Sequence, residues 1–272
     1  MSRSACFDVI KSKPWLNDQG VPVGVTMLTA EELLLLRWIA KNCYSGEGLL
    51  LDCGCFLGGS TVSLAQGLKE SAAVTKKLHS FDLFVAGTFE GKNYAGEGVE
   101  TGKNFRPLFE KNIADFKNYI EIHEGDITQS SLPDGDIELL FIDCAKTPAV
   151  NDFFVTKLFP RLIPGKSVVI QQDYLFRALP WIQITMEYFS EYFELLTSAD
   201  VNSVVYGCIK QIPPKATIGC VWSMMSKSVK HLLMQQAINR WQGYKRQMVI
   251  GSYASYDIDN DKWGWVLTSP DH

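Results

Sequence analysis

Nothing in the sequence is long and apolar enough to cross a bilayer, which takes about 18–20 consecutive apolar residues. The apolar stretches are strand-sized or amphipathic, so no membrane partner is expected. Residues 1–20 carry Arg3, Asp8, Lys11, Lys13 and Asp18 without an apolar core; no secretory signal is expected, and the predicted location is cytoplasmic. Neither sign of charge is in large excess. Lys and Arg total 26 against 30 Asp and Glu, a net charge of −4. The few basic pairs, such as Lys76-Lys77, read as solvated faces, and nucleic acid is not an expected partner. Histidine is scarce, at 4 residues. Cys53 and Cys55 have neither a second cysteine pair nor a histidine cluster beside them, so no metal is assigned to them. The 7 cysteines are odd in number and several lie in apolar runs; they are read as reduced, packed thiols.

What remains is an ordinary soluble composition. The 272 residues are 46% hydrophobic and 21% charged, enough for one large domain with a terminal addition. Residues 1–28 read as irregular, with Pro14 and Pro22 as breakers. Thr29 followed by Glu32 has capping-box spacing and opens a helix whose apolar stripe is Leu33, Leu36, Ile39 and Ala40. LLLDCG (49–54) is a short apolar run ending in turn residues, as a buried parallel strand does. A helical pattern follows from Ser60 to Leu68. Further strands are predicted at 78–84, 119–126, 137–144 and 166–174, with helices over 104–116, 153–162 and 180–192 between them. Residues 85–103 hold five glycines and read as a long loop, a candidate lid over an acceptor.

Strands at 193–200 and 203–210 are separated by a short turn, which makes an antiparallel hairpin. The strand–helix alternation before them argues for an α/β fold with an open parallel sheet covered on both faces. No internal repeat is visible. After Pro213-Pro214 the spacing of Trp222, Met225, Val229, Leu232, Leu233 and Ile238 predicts an amphipathic helix, and an aromatic piece with Trp263 and Trp265 closes the chain. The predicted organisation is an N-terminal segment with a cap helix (1–44), a main domain (45–212) and a C-terminal helical extension (213–272). The extension would pack on the main domain, shape a homodimer interface or cover a substrate.

In open parallel sheets ligands bind beyond the carboxyl ends of the strands. Aspartates stand at five successive strand ends: Asp52, Asp82, Asp126, Asp143 and Asp173. Gly54 and Gly58 would let the backbone approach a ligand, and the helix start near Ser60 and Thr61 offers free N–H groups. The spacing Asp52-x-Gly54-x-x-x-Gly58-Gly59-Ser60 is not the G-x-G-x-x-G of dinucleotide folds. An acid at this strand end would repel a pyrophosphate and suit a cationic amino group. Asp82 is placed for ribose hydroxyls, Asp126 for an adenine amino group, and Ile127 for packing on the ring. His79 and His123 lie inside strands and read as core or sheet-face residues.

These features together resemble the class I S-adenosylmethionine-dependent methyltransferases over about residues 45–212. The resemblance implies a seven-stranded, mostly parallel sheet in the order 3-2-1-4-5-7-6 and S-adenosylmethionine as cofactor. Asp52, Cys53, Gly54, Gly58, Ser60, Thr61, Asp82, Asp126, Ile127 and Asp143 would bind it. CGCFLGGST after the first strand, SFDLF before the glycine-rich segment, and the pair FID and QDY resemble the macrocin-type sugar O-methyltransferases. That family implies O-methylation of a small hydroxylated natural-product or sugar acceptor, with Asp143, Lys146 and Asp173 as catalytic candidates. The family also holds magnesium with additional acids, and here Ala145 and Gln172 occupy those places. A weakened or absent metal dependence is therefore expected. Loss of those acids also raises the alternative of a cofactor-binding protein that no longer catalyses.

Overall fold

The computed structural model describes residues 3–20, 25–71, 76–200 and 202–263, with side chains from residue 6 to residue 262. Pro22 and Trp265, named above, lie outside the described residues. The described chain divides into two compact units at the boundary between Phe141 and Ile142.

The first unit opens with a helix, α1 (Arg3–Lys11), and a short 3-10 turn at Pro14–Asn17. The irregular reading of residues 1–28 is corrected over this stretch. Helix α2 (Ala30–Asn42) starts at the expected capping box: the Thr29 amide donates to Glu32 Oε2 at 2.9 Å, and the Glu32 amide donates to Thr29 Oγ1 at 3.4 Å. Cys43, the C-terminal cap of α2, forms a disulfide with Cys6 of α1, with the Cα atoms 6.0 Å apart. The reading of every cysteine as reduced is corrected for this pair, while Cys53, Cys55, Cys144, Cys208 and Cys220 take part in no disulfide. The two half-cystines are 37 residues apart, and closing a loop of that length is worth about 4 kcal/mol in the chain-entropy account. Cys6→Ser is accordingly expected to lower the thermal midpoint by several degrees in the absence of reductant. Under reducing conditions the variant and the parent protein should melt together.

Strand β1 (Leu49–Cys53) is buried along its whole length. Glu138 anchors its entry, accepting from the Ser45 amide at 2.7 Å and the Gly48 amide at 3.1 Å. Helix α3 (Gly59–Glu70) follows the glycine turn and crosses α2 closely: a Cβ at Gly67 would stand 2.3 Å from the Arg37 carbonyl oxygen. Strands β2 (Leu78–Asp82) and β3 (Ile120–Glu124) then add in parallel, with Asp52 opposite Ser80 and Phe81 opposite His123. Between them lie α4 (Thr88–Asn93), a 3-10 turn at Ala95–Glu97 and α5 (Arg106–Asn112), which gives way to a 3-10 turn at Ala114–Tyr119. The predicted long loop at 85–103 is thus a folded excursion. Its base is closed by a bridge between Val85 and Asn104 and by hydrogen bonds of Ala86 to Lys103 and of Gly102 to Ala86. The helix predicted over 104–116 is shorter for the same chain, because Pro107 sets its first turn and the 3-10 segment takes its end.

Strand β4 (Ile137–Ile142) leads into the second unit, where the described elements are α6 (Pro148–Phe153), β5 (Val168–Gln171), α7 (Pro180–Tyr188), β6 (Phe193–Ala199) and β7 (Ser203–Cys208). The helix expected from Phe153 begins earlier, with Thr147 accepting from the Val150 amide as its cap, and runs on as a π turn at Phe154–Leu158. The hairpin β6–β7 is antiparallel, and β7 also pairs antiparallel with β5. The hydrogen-bonded sheet order is β3-β2-β1-β4-β5-β7-β6, as the resemblance implied.

Beyond the hairpin come α8 (Pro214–Ile218), α9 (Lys227–Arg240), α10 (Gly243–Ser255) and the two-residue strands β8 (Tyr256–Asp257) and β9 (Lys262–Trp263). The predicted stripe is corrected here. Trp222 and Met225 precede α9, Leu232 is 57% exposed, and the buried face is Lys230, Leu233, Met234, Ala237 and Ile238. Arg240 of α9 forks onto the buried Glu187 of α7 at 2.5 and 2.6 Å, which fixes the extension to that helix.

Candidate functional site

In the first unit the site grows from the end of β1. Asp52 is fully buried, and its Oδ2 accepts from Ser60 Oγ at 3.0 Å and Thr61 Oγ1 at 2.5 Å. The aspartate therefore holds the first turn of α3. Its second oxygen, Oδ1, is buried with no donor among the described residues. Burial is the main cause that pushes the carboxyl up to about 7; the two hydroxyls oppose that rise and Asp82 adds to it. An unpaired buried carboxylate oxygen is costly unless a donor arrives, and an ammonium group is the donor whose charge would answer it best. The residues present thus fit the amino end of S-adenosylmethionine.

The glycine turn divides its labour. Gly54 has φ +96° and donates to the Phe81 carbonyl at 2.8 Å. Gly58, with φ +97°, caps α3, but a Cβ there would stand 2.9 Å from Ile113 Cγ2. Its missing side chain leaves room for Ile113. Cys53 is a buried thiol at the strand end.

Asp82 closes the other side. Its Oδ2 accepts from the Phe56 amide and its Oδ1 from the Phe84 amide, each at 2.8 Å. Burial holds its carboxyl above the ordinary range against those hydrogen bonds. Phe56 and Phe84 both have positive φ, +44° and +55°, a conformation bulky side chains rarely adopt. Aromatic packing holds them there: Phe56 meets Tyr94 and Phe105 edge-on, and Phe84 packs on Phe105 and Phe109. Such strain persists only where surroundings over-determine it and clusters at ligand clamps. Sequence reasoning missed these two phenylalanines, because only a backbone dihedral distinguishes them from core residues. Each oxygen of Asp82 keeps a lone pair for a hydroxyl.

Asp126 is exposed and caps its own turn, accepting from the Thr128 amide at 2.9 Å and hydroxyl at 2.8 Å. Ile127 beside it is buried. His79 and His123 share one sheet face, with His123 stacked on Phe81. Burial holds both imidazoles below the ordinary range, opposed by Glu121.

In the second unit Asp143, Lys146 and Asp173 meet. The Lys146 ammonium donates to Asp143 Oδ1 at 2.8 Å and, more closely still, to Asp173 Oδ2. Desolvation works against its charge, but the two carboxylates outweigh it and hold its pKa well above the usual lysine value. Lys146 is therefore a fixed cation. A general base would need a depressed pKa, and the two carboxylates act in the opposite direction. Ala145 is buried, and its carbonyl accepts from Trp181 Nε1 at 2.7 Å. Gln172 is buried as well. An ammonium thus occupies the position between two acids where a divalent ion would need further carboxylates.

Against known proteins, residues 51–174 match the family described as a methyltransferase domain. The fold is similar to the O-methyltransferase NovP at 18% identity and TM-score 0.51, over 68% of this chain and 82% of that one. Weaker likenesses include cofactor-bound Rv0187 from MTB, at 12% identity and TM-score 0.48 over 78% of this chain and 92% of that chain. Phosphoethanolamine N-methyltransferase 1 of Haemonchus contortus matches at 10% and 0.45, over 88% of this chain and 55% of that chain. No curated protein matches the chain.

Proposed function

We propose that this class I S-adenosylmethionine-dependent methyltransferase moves a methyl group onto a hydroxyl oxygen of a small acceptor, a natural product or sugar, without a metal ion. The observation that carries the proposal is the Lys146 ammonium held between Asp143 and Asp173. NovP, whose fold is similar, is an O-methyltransferase, which supports oxygen as the nucleophile.

Asp52 would hold the amino group of the cofactor, Gly54 would leave room for its methionine end, and Asp82 would take the ribose hydroxyls. Asp126 and Ile127 would receive the adenine. When bound, S-adenosylmethionine supplies an activated methyl on a sulfonium. The acceptor hydroxyl would give its proton to a carboxylate of Asp143 or Asp173, which readies its oxygen as the nucleophile. Lys146 stabilises the negative charge that gathers on the oxygen as its proton leaves, in the manner of other fixed donors aimed at developing charge. A charged lysine supplies this without the dehydration that a hard divalent cation requires.

The test is transfer of labelled methyl from S-adenosylmethionine to a panel of hydroxylated acceptors, with magnesium and with EDTA. Equal transfer in both arms is expected. Transfer that EDTA abolishes would overturn the metal-free reading. Cofactor binding with no turnover on any acceptor would favour a binding protein that has lost catalysis.

A further inference from the structure

The β2–β3 pair carries a second constellation that methyl transfer does not use. Side chains alternate along each strand. Ser80 of β2 faces α3, where its hydroxyl meets Thr61 Oγ1 at 3.4 Å. His79 and Phe81 therefore project from the opposite face. The parallel register pairs His79 with Glu121 and Phe81 with His123, so Glu121 and His123 share that face. β3 is the edge of the sheet, and its connection to β4 contributes no helix, only a 3-10 turn at Ile127–Gln129. Glu121 is accordingly about half exposed, with 52% of its side chain accessible.

Two of the 4 histidines in the chain touch here: His79 Nδ1 and His123 Nε2 are 3.0 Å apart. Glu121 Oε2 lies 4.0 Å from the first nitrogen and Glu121 Oε1 lies 3.8 Å from the second. One atom from each residue can be chosen so that all three lie within 4.8 Å of one another. A tetrahedral zinc-class ion with bonds of about 2.0–2.2 Å spaces its ligand atoms about 3.3 Å apart. The nitrogens would open by a few tenths of an ångström, and one oxygen of the exposed, rotatable carboxylate would close by up to about 1.5 Å. Stacking of His123 on Phe81, with centroids 4.3 Å apart and planes 11° apart, orients that ring in advance.

We propose that His79, Glu121 and His123 bind a borderline-soft divalent cation of the zinc class, with water in the fourth position. The ion ties edge strand β3 to β2. Two imidazoles and one carboxylate suit zinc or cobalt and disfavour magnesium, which prefers oxygen ligands. The site is separate from the methyl-transfer reading and stands or falls without it.

The experiment uses the full chain, stripped with a chelator and dialysed. Zinc is titrated by calorimetry, cobalt by visible absorption, and magnesium serves as a control. One equivalent of zinc with micromolar or tighter affinity, an intense tetrahedral cobalt band and a raised thermal midpoint are expected, with no response to magnesium. Glu121→Gln changes an exposed side chain and should weaken zinc at least tenfold while the apo protein melts unchanged. His79→Gln combined with His123→Gln should remove binding, with far-ultraviolet circular dichroism confirming the fold. If the double variant does not fold, Glu121→Gln alone decides. No zinc binding by the parent protein, or zinc binding undiminished by Glu121→Gln, would overturn the proposal.

Discussion

Replacing Lys146 by Ala is expected to lower kcat for methyl transfer by about two to three orders of magnitude, the usual cost of losing a fixed donor at a developing oxyanion. Affinity for S-adenosylmethionine should change little, because Lys146 itself is not among the residues assigned to that cofactor. The substitution also leaves Asp143 and Asp173 without the cation they share. A divalent ion can then enter where the ammonium was, so magnesium should restore part of the lost rate in the variant while the parent protein ignores it. The pH profile supplies a further check. Because the two carboxylates hold Lys146 charged beyond the ordinary lysine range, the parent rate should not fall through loss of this proton below about pH 10. A Lys146→Ala enzyme with parental kcat and no response to magnesium would remove the lysine from the chemistry.

The strands were legible in the sequence because strand burial and glycine turns are local signals, whereas their order was implied by the family resemblance alone. LLLDCG could be nothing but a buried strand running into a turn, and Thr29 with Glu32 announced the start of α2. The hairpin at 193–208 followed from the short turn between two apolar runs. Other features depend on contacts distant in sequence. Cys6 finds Cys43 only because α1 forms, and a nine-residue helix with two prolines after it leaves little periodicity to read. Residues 85–103 looked open because glycine dominates them, yet their helix and the bridge from Val85 to Asn104 are set by tertiary closure. Gly58 was read as making room for a ligand, and the room is taken by Ile113. The acids at 143 and 173 were visible as strand ends. What they do depends on Lys146, whose protonation is decided by two carboxylates 3 and 27 residues away in the chain.

Replacing Asp52 by Asn is expected to weaken S-adenosylmethionine about a hundredfold, within the range for removing one member of a buried charge pair. The turn itself should survive, since the amide oxygen can still accept from Ser60 and Thr61 as Oδ2 does. What is lost is the negative charge behind the unpartnered Oδ1. The parent protein should reveal that charge through pH. Its carboxyl is pushed up to about 7 in the folded protein, against a value near 4 when unfolded. A raised carboxyl contributes stability that is fully present below the unfolded value and is lost as pH rises through about 7. The cofactor-free protein should therefore gain stability from this group on acidification from pH 8 to 6. A cation binding beside it selects the ionised form, so affinity should run the other way, falling roughly tenfold per pH unit below about 7. Binding at pH 6 should release close to one proton, measurable by calorimetry in buffers of different ionisation heats. Asp52→Asn should abolish both the proton release and the pH trend in affinity. If the variant binds the cofactor as tightly as the parent, Asp52 serves only to hold the first turn of α3, and the amino group is held by other residues.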